Sequence, residues 1–399
     1  MIRQLRHDEI DQFVDMTEVA FAVSFTPEER EARRKQVVPE QIWGYYRDDR
    51  LAARVAILPL RIMVQGVAYE MGGIAHVATY PELRRGGLVS KLIVRSLEEM
   101  KRSGQTVSML NPFSFAFYRK FGWEWFCDLV TYSVESRHLP RFKDTAGQIK
   151  RGGEGDLGVV AELYAAYTTR FNGMLVRDEA WWKSTVFRRK LGQLALYCND
   201  RGEPEGYMLY AIRDRRFRIH EWIPLSADSR KGLWQFVANH DSIVDSVDIS
   251  MPADDPTAHW FAEPGTAGRK LYPYYMARIV DLEPFLRLYP FATQPPGSTL
   301  RITVQDEHAP WNGGTWELQW LQGGGFTITR VNVLPAADGT EAGGDEWLAC
   351  DICTLSSLLL GSSRPAALWE LGRLRGRSTA VELLERTIPR RTPYLLDMF

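Results

Sequence analysis

The sequence predicts a mixed α/β protein built from three domains. A chain of 399 residues is longer than one ordinary domain. The order of helix, strands and helix in the first part of the chain is repeated in the second part, which indicates a degenerate internal repeat. A stretch rich in proline and glycine at residues 289–299 then precedes a smaller group of strands and helices. The predicted domains are residues 1–148, 149–288 and 289–399.

Composition excludes several classes of protein. Hydrophobic residues make up 45% of the chain and charged residues 25%, as in ordinary globular proteins. The 49 basic and 50 acidic residues give no overall field for nucleic acid or for an anionic membrane. No apolar run reaches the ~20 residues of a membrane span, and residues 1–13 lack the apolar core of a signal peptide. With only four cysteines, we expect a cytoplasmic protein without a disulfide framework.

The first domain begins with two predicted helices, at residues 7–21 and 30–38, followed by strands within residues 42–80 and a helix at residues 88–104. In the first helix the apolar residues recur at helical spacing. That apolar face comprises Ile10, Phe13, Val14 and Ala20 or Phe21. In the helix at residues 88–104 the apolar face is equally regular, and Gly104 marks its end.

The second domain repeats this order, with helices at residues 156–171 and 229–240 around strands at 206–212 and 217–225. No glycine-rich counterpart of residues 84–90 occurs in it. For the third domain we predict an α+β unit of strands followed by helices. Its strands are residues 300–306, 315–321 and 326–334, and its helices are residues 354–361, 367–374 and 379–388.

Cys350 and Cys353 form a C-x-x-C pair. A zinc site would need a second Cys or His pair at matching spacing, and none follows. A thioredoxin-like site would need the pair to open a helix after a strand, whereas the alternation of Leu348, Cys350 and Ile352 predicts a continuing strand. The pattern therefore favours a structural pair over a redox or metal site.

Chemistry is concentrated in the turn after the predicted strand at residues 75–79. Gly86 and Gly87 let the backbone approach a ligand closely, and a helix that begins at Leu88 offers free N–H groups. Arg84 and Arg85 add positive charge. Together these features suit a pyrophosphate. The alternative is a plain glycine-containing turn before a surface helix.

A second stretch, residues 108–126, predicts a strand, a short helix and the turn Phe121-Gly122-Trp123. The two stretches together resemble the Gcn5-related N-acetyltransferase (GNAT) superfamily. Arg84 and Gly87 match its R-x-x-G motif, and Tyr118 stands four residues before the glycine. Val89 departs from the family pattern, which usually has Gly or Ala there.

Over the whole chain, this three-part arrangement resembles the enhanced intracellular survival (Eis) acetyltransferases. The resemblance implies an α/β (α+β) protein of two tandem GNAT folds, the second without a cofactor site, and a third domain similar to sterol carrier protein. It also implies acetyl-CoA as co-substrate, no metal, a small amine acceptor such as an aminoglycoside, and a homohexamer formed as a dimer of trimers.

The resemblance assigns roles residue by residue. Tyr118 becomes the general acid, although a core aromatic packed beside Phe117 and Phe121 is the alternative. His76 receives no catalytic role, because an isolated histidine is more often structural. The cofactor-binding residues that it implies are Val77, Ala78 and Thr79 for pantetheine, Arg85, Gly86, Gly87, Leu88, Val89 and Ser90 for the pyrophosphate, and Phe113 and Ser114 beside the coenzyme.

The chain ends on an apolar run, residues 394–399, where most domains end on polar residues. The resemblance implies that the α-carboxylate of Phe399 is the general base. Leu395, Leu396 and Met398 are then expected to dock the tail, and Asp397 to attract a cationic acceptor. The alternative is a terminus that is docked but takes no part in chemistry.

Two other functions remain open at this stage. One is a protein-lysine or polyamine acetyltransferase of the same fold. The other is a lipid-binding protein whose first domain senses acetyl-CoA, against which the intact loop and Tyr118 argue.

Overall fold

The first part of the chain forms a half-sheet covered by helices. The structure, a computed structural model, describes residues 1–331 and 346–399. The strands of this part are β1 (Ile2–Gln4), β2 (Ile42–Arg47), β3 (Arg50–Val64), β4 (Val67–Thr79), β5 (Val107–Leu110) and β6 (Glu124–Glu135). Its helices are α1 (Ile10–Phe21), α2 (Pro27–Arg34), α3 (Leu88–Arg102) and α4 (Phe115–Arg119).

The second part has the same order of elements, as its sequence predicts. Its strands are β7 (Gln148–Gly152), β8 (Gln193–Cys198), β9 (Pro204–Arg213), β10 (Arg216–Pro224), β11 (Ser246–Met251) and β12 (Gly268–Ile279). Its helices are α5 (Leu157–Thr168), α6 (Glu179–Trp181), α7 (Phe187–Arg189) and α8 (Ala227–Ala238). A π-helical turn, Trp182–Val186, joins α6 to α7.

The two halves share one sheet. In the described residues its strand order is β1-β2-β3-β4-β5-β12-β6-β11-β10-β9-β8-β7. Strand β12 of the second half therefore pairs with β5 of the first, and β6 of the first pairs with β11 of the second. Because each half contributes a strand to the other, the two halves form one continuous framework around β6 and β12.

Helix α3 covers one face of the sheet. It does so with the apolar face that the periodicity of its sequence predicts. Leu92, Ile93, Leu97 and Met100 are fully buried in a core that also holds Tyr118. Burial of four such side chains contributes roughly 6–12 kcal/mol before conformational entropy is subtracted. The N-terminus of α3 is thereby fixed relative to β4.

The third part is the predicted α+β unit. It consists of α9 (Leu282–Leu288), β13 (Thr299–Gln305), β14 (Gly314–Trp320), β15 (Phe326–Val331), β16 (Trp347–Asp351), α10 (Ile352–Leu360), α11 (Pro365–Glu370), β17 (Arg375–Gly376) and α12 (Ser378–Thr387). Within the described ranges its sheet runs β15-β14-β13-β16-β17. The end of the strand predicted at residues 326–334 lies outside the described residues.

The prediction of a continuing strand through Cys353 was wrong. Strand β16 ends at Asp351, whose side chain accepts a hydrogen bond from the Thr354 N–H and caps α10. The cysteines therefore do span a strand-to-helix junction, and Ile352 belongs to the helix. Both thiols are free and buried, and burial raises the pKa of Cys353 to about 12. A protonated buried thiol is unreactive, which keeps the pair structural.

Helix α2 begins earlier than predicted, at Pro27, because Thr26 and Glu29 form a capping box with Pro27 at the first helical position. Of the two residues predicted for the last position of the apolar face of α1, Ala20 packs against the core, whereas Phe21 is 52% exposed. The helix ends at Ala22, which adopts the left-handed conformation.

Candidate active site

A split in the sheet opens between β4 and β5. These parallel strands pair from Met71 to Ile74 on β4, and the pairing ends there. Just beyond it, His76 and Val77 lie opposite the single residue Val55 of β3, which is a β-bulge. The backbone of His76 has φ 51°, a conformation that residues other than glycine seldom adopt. The bulge turns the end of β4 away from its neighbour and creates the cleft.

The loop after β4 presents free backbone donors to this cleft. Gly87, at φ 71°, precedes α3 without a side-chain cap, and Arg85 is also at positive φ. After Arg84, the next N–H with an acceptor is that of Lys91, which bonds to the Gly87 carbonyl. Among the described residues, the N–H groups of residues 85–90 donate no hydrogen bond. Such a row of amides at a helix N-terminus binds phosphate groups.

The cleft has a volume of 660 Å³ and brings together most of the residues implied by the resemblance. Those lining it are Val77, Ala78, Thr79, Arg85, Gly87, Leu88, Val89, Ser90 and Phe113. Gly86 does not line it, and Ser114 instead caps α4 by accepting from the Phe117 N–H at 3.3 Å.

Other cleft residues were not in the predicted set. They are Ala20, Phe21, Leu83, Arg84 and Phe117. Arg84 belongs to the predicted loop, but Phe21 reaches the cleft from α1, far away in sequence. An exposed aromatic side chain at a cleft is typical of a ligand-binding surface. The exposure of Phe21 could not be predicted from helical periodicity.

Tyr118 lies directly behind the cleft wall. Its ring contacts Phe113 and Phe117, with centroids 5.2 and 5.1 Å away, and it is 2% exposed. Burial raises the pKa of its phenol well above the ordinary value of 10. The hydroxyl therefore keeps its proton at neutral pH, as a general acid must. The same packing also satisfies the alternative of a core aromatic.

The chain terminus lies at the closed end of the split. The Phe399 ring packs against Tyr275 of β12, with centroids 5.2 Å apart, and the Phe399 N–H donates to the Tyr275 hydroxyl at 3.2 Å. The same ring covers Gly73, one residue before the last paired residue of β4, Ile74. A Cβ added at Gly73 would lie 2.9 Å from the ring. The tail thus reaches the first domain.

The means of anchoring the tail differ from the prediction. Leu395 is fully buried and Leu396 is partly buried, but Met398 is 55% exposed. Asp397, expected to attract a cationic acceptor, is 1% exposed and ion-paired with Arg177 at 2.9 Å. A carboxylate neutralised in this way cannot recruit a ligand. That expectation was wrong.

The second half lacks a comparable loop. Its strand β10 ends at Pro224 and α8 begins at Ala227, so two residues replace the long turn after β4. Ser226 caps α8 by accepting from the Ser229 N–H, and the Ser229 hydroxyl accepts from the Ser226 N–H. Two amides at the start of α8, those of Ser226 and Ser229, are therefore already bonded to side chains.

The residues of the first cleft fit acetyl-CoA. Besides the free amides, the Thr79 hydroxyl is buried with no hydrogen-bond partner among the described residues, on the strand assigned to pantetheine. At Gly87 a Cβ would meet nothing within 4 Å, so the space beside the loop is open. Within residues 1–331 and 346–399, no group of three or more His, Cys, Asp or Glu side chains is arranged to hold a metal ion.

Comparison with known families agrees with this architecture. Residues 1–126 and residues 173–279 each match an acetyltransferase (GNAT) domain family. Residues 282–396 match a sterol carrier protein domain family.

Similar proteins cover most or all of the chain. An uncharacterised N-acetyltransferase of Streptomyces avermitilis is 23% identical over 100% of this chain and 98% of its own length. The N-acetyltransferase Eis of Mycobacterium bovis (strain BCG / Pasteur 1173P2) is 24% identical over 82% of this chain and 80% of its own.

Solved structures show the same three-part fold. A conserved protein from Enterococcus faecalis V583, described as a probable N-acyltransferase, matches with a TM-score of 0.89 at 29% identity, over 100% of this chain and 99% of its own. Eis1 from Mycobacterium abscessus matches with a TM-score of 0.81 at 18% identity, over 100% of both chains, which shows a shared fold.

The tandem fold and the free amides beside the split sheet define an acetyltransferase of the GNAT superfamily, a fold that implies acetyl-CoA as co-substrate. With two GNAT domains and a sterol-carrier-protein-like third domain, the chain is an acetyltransferase with similarity to the N-acetyltransferase Eis over 82% of its length. In the part of the chain that the structure describes, no helix combines the length and apolar character needed to cross a bilayer.

Proposed function

We propose that the enzyme transfers an acetyl group from acetyl-CoA to an amine in a ternary complex, with Tyr118 as general acid and the Phe399 carboxylate as general base. The observation that carries the proposal is the meeting of two features at one split in the sheet. The free amides of residues 85–90 lie at the cleft, Tyr118 lies directly behind the cleft wall, and the chain terminus lies at the closed end of the split.

The cofactor contacts follow from this arrangement. Residues 85–90 would hold the pyrophosphate, with Gly86 contributing its backbone, while Val77, Ala78 and Thr79 would pair with pantetheine along the free edge of β4. Phe113, which is 68% exposed, offers an apolar surface to the coenzyme, and Ser114 fixes the start of α4 beside it.

In the proposed reaction, the neutral amine nitrogen attacks the thioester carbonyl carbon and the carbon–sulfur bond breaks. Backbone N–H groups near Val77 stabilise the developing oxyanion. The proton lost by the amine goes to the Phe399 carboxylate, directly or through water, and Tyr118 gives its phenolic proton to the leaving thiolate.

The base is weak in water, because an α-carboxyl group has a pKa of about 3.5 and a primary amine one of about 10.4. Apolar surroundings raise a carboxyl pKa and strengthen the base. The Phe399 ring packs against Tyr275 and lies beside Gly73, so its side chain holds the terminus in an apolar part of the protein.

For the acceptor we propose a small molecule with several amines, such as an aminoglycoside. Support comes from the relative named Eis and from the terminal carboxylate, whose negative charge suits a cation. We further propose a cytoplasmic homohexamer, on the resemblance to Eis enzymes. Lysine side chains of proteins and linear polyamines are the alternative acceptors.

A thiol-release assay tests the proposal. The enzyme is incubated with acetyl-CoA and, in separate arms, with aminoglycosides, polyamines and lysine peptides. We expect coenzyme release that depends on an aminoglycoside. Release only with peptides or linear polyamines would replace the acceptor class. Binding of acetyl-CoA without amine-dependent release in any arm would favour the sensor with a lipid-binding domain.

A further inference from the structure

The C-terminal tail is anchored by a buried polar cluster in the second GNAT domain. Arg177 lies at its centre, and its side chain has no solvent exposure. The Arg177 Nε donates to both oxygens of Asp397, at 3.1 and 3.0 Å. Two more donors complete the shell, the Trp181 indole N–H at 3.1 Å and the Tyr164 hydroxyl at 3.2 Å. Asp397 is therefore held by three side chains of the second domain.

Arg177 is itself fixed by a second carboxylate. Its Nη1 and Nη2 donate to the two oxygens of Glu221, at 3.1 and 2.7 Å. Lys190 and the Tyr207 hydroxyl also donate to Glu221, both at 2.6 Å. Two cations and two carboxylates balance in charge, and Arg177 bonds to each carboxylate through two contacts. This geometry fixes orientation more strictly than a single ion pair would.

The position of this cluster corresponds to that of the acetyl-CoA cleft. Parallel strands β10 and β11 pair from Arg216 to Ile219 of β10, and the register then shifts between Ile219 and Glu221. In the first half, the parallel pairing likewise ends just before the bulge at His76. The second domain thus keeps the end of parallel pairing and the irregularity that follows it, and Glu221, directly after that irregularity, binds the Arg177 side chain that holds the tail.

The helix beside the split also contacts the tail backbone. The π-helical turn Trp182–Val186 is followed by Arg189, whose Nη1 donates to the Met398 carbonyl at 2.7 Å, and by Lys190, whose Nζ is 3.5 Å from the Leu396 carbonyl. Single π-helical turns are frequent at functional sites. The contacts fix the last residues before Phe399 on both sides of Asp397.

We propose that the second GNAT domain is a binding site for the protein's own C-terminus, and that Arg177 is a positioning residue that sets the Phe399 carboxylate at the split of the first domain. This inference rests on the proposed function for the role of the carboxylate. The ligand class of the site is an aspartate-containing peptide tail, supplied by the same chain. Arg177 does not touch the reacting atoms, and it acts through Asp397.

The test uses Asp397→Asn in the full-length protein, because this change removes the charge and keeps the shape of a tail residue. Arg177→Lys is the second variant, since it keeps the charge but loses the planar fork. The matched control is Asp245→Asn, which breaks an exposed Arg–Asp pair with Arg215 on the same domain. Melting temperature and acetyl-CoA affinity identify folded variants.

Two quantities are measured for each variant. Carboxypeptidase A removes accessible C-terminal aromatic residues, so mass spectrometry of the shortened chain reports release of Phe399. The second quantity is kcat, together with the KM for acetyl-CoA. For Asp397→Asn we expect release at least tenfold faster than in the control, kcat at least tenfold lower and an unchanged KM. Arg177→Lys should show the same pattern to a smaller extent.

The two measurements distinguish the tail-binding site from the catalytic role of the carboxylate. Faster release with an unchanged kcat upholds the tail-binding site and overturns the catalytic role of the carboxylate. Release at the rate of the control in a folded Asp397→Asn protein overturns the tail-binding site itself, whatever the activity.

Discussion

The two GNAT domains of this chain share one sheet and differ in what lies where their parallel strands stop pairing. In the first, the turn from β4 to α3 is long, contains Gly87 at positive φ and leaves its amides free. In the second, the turn from β10 to α8 is reduced to residues 225–226, and Ser226 caps the helix. Glu221, directly after the register shift of β10, is part of a buried cluster with Arg177.

The end of parallel pairing is common to both GNAT domains, whereas the free amides occur beside the first. The split arises in both copies from parallel strands that stop pairing before a bulge. The two copies differ in the turn and the helix cap that follow the end of pairing. In the second copy, Arg177 and Arg189 bind another segment of the chain, its C-terminal tail.

The largest effect is expected for Tyr118→Phe, which keeps the ring packing and removes the proton donor. We expect kcat to fall about 10²–10⁴-fold with the KM for acetyl-CoA roughly unchanged. Steady-state kinetics measure both. Tyr132→Phe is the control, because Tyr132 is a buried tyrosine in the core of the second half. Equal activity of the two variants would make Tyr118 a core aromatic only.

A smaller effect is expected for Gly87→Val in the free-amide loop. The new side chain would enter the open space beside the loop and raise the KM for acetyl-CoA at least tenfold. A residue other than glycine at this φ also costs about 1–3 kcal/mol. Gly104→Val controls for that strain, because Gly104 has φ 73° and equally open space at the other end of α3. Equal acetyl-CoA affinity in both folded variants would move the cofactor site elsewhere.

A few-fold effect is expected for Gly73→Ala, which tests where the terminus lies. The added methyl group would displace the Phe399 ring and lower kcat about three- to tenfold, since catalysis is sensitive to small misplacement. In a Phe399→Leu background the same change should cost less, and a double-mutant cycle measures the coupling. Additive effects would mean that the ring does not contact Gly73 in solution.

The smallest effect on activity is expected for Ser226→Ala, which removes the cap of α8. Loss of the cap should lower the free energy of unfolding by about 1 kcal/mol. Calorimetry should still find one acetyl-CoA per chain with unchanged affinity. A second equivalent of acetyl-CoA, in this variant or in the wild type, would contradict the view that the second copy has lost its cofactor site.

Most residues that line the first cleft could be predicted from the local sequence. The strand, glycine loop and helix at residues 75–104 are adjacent in the chain, so their geometry follows from turn chemistry and helical periodicity. The cleft accordingly contains nine of the predicted cofactor residues, and leaves out Gly86 and Ser114. Their placement is a matter of local structure, whereas their roles stay predictions until the variants above are measured.

The anchoring of the tail could not be predicted in this way. Asp397, Arg177 and Glu221 are brought together from three distant segments, and each alone is an ordinary charged residue. The apolar residues around Asp397 predict hydrophobic docking of the tail, yet Met398 is exposed. The same limit applies to the sharing of β6 and β12 between the halves, because strand exchange depends on pairing over more than a hundred residues.

The proposed base is a free carboxylate at this position in the chain, and one added residue is enough to move it. Extension of the chain by a single glycine after Phe399 moves the carboxylate by one residue and leaves every side chain in place. We predict a fall in kcat of at least about 10²-fold with unchanged melting temperature and acetyl-CoA affinity. Phe399→Leu, which keeps the carboxylate in place, should retain most activity. An extended, correctly folded enzyme that acetylates amines at the rate of the unextended one would contradict the claim.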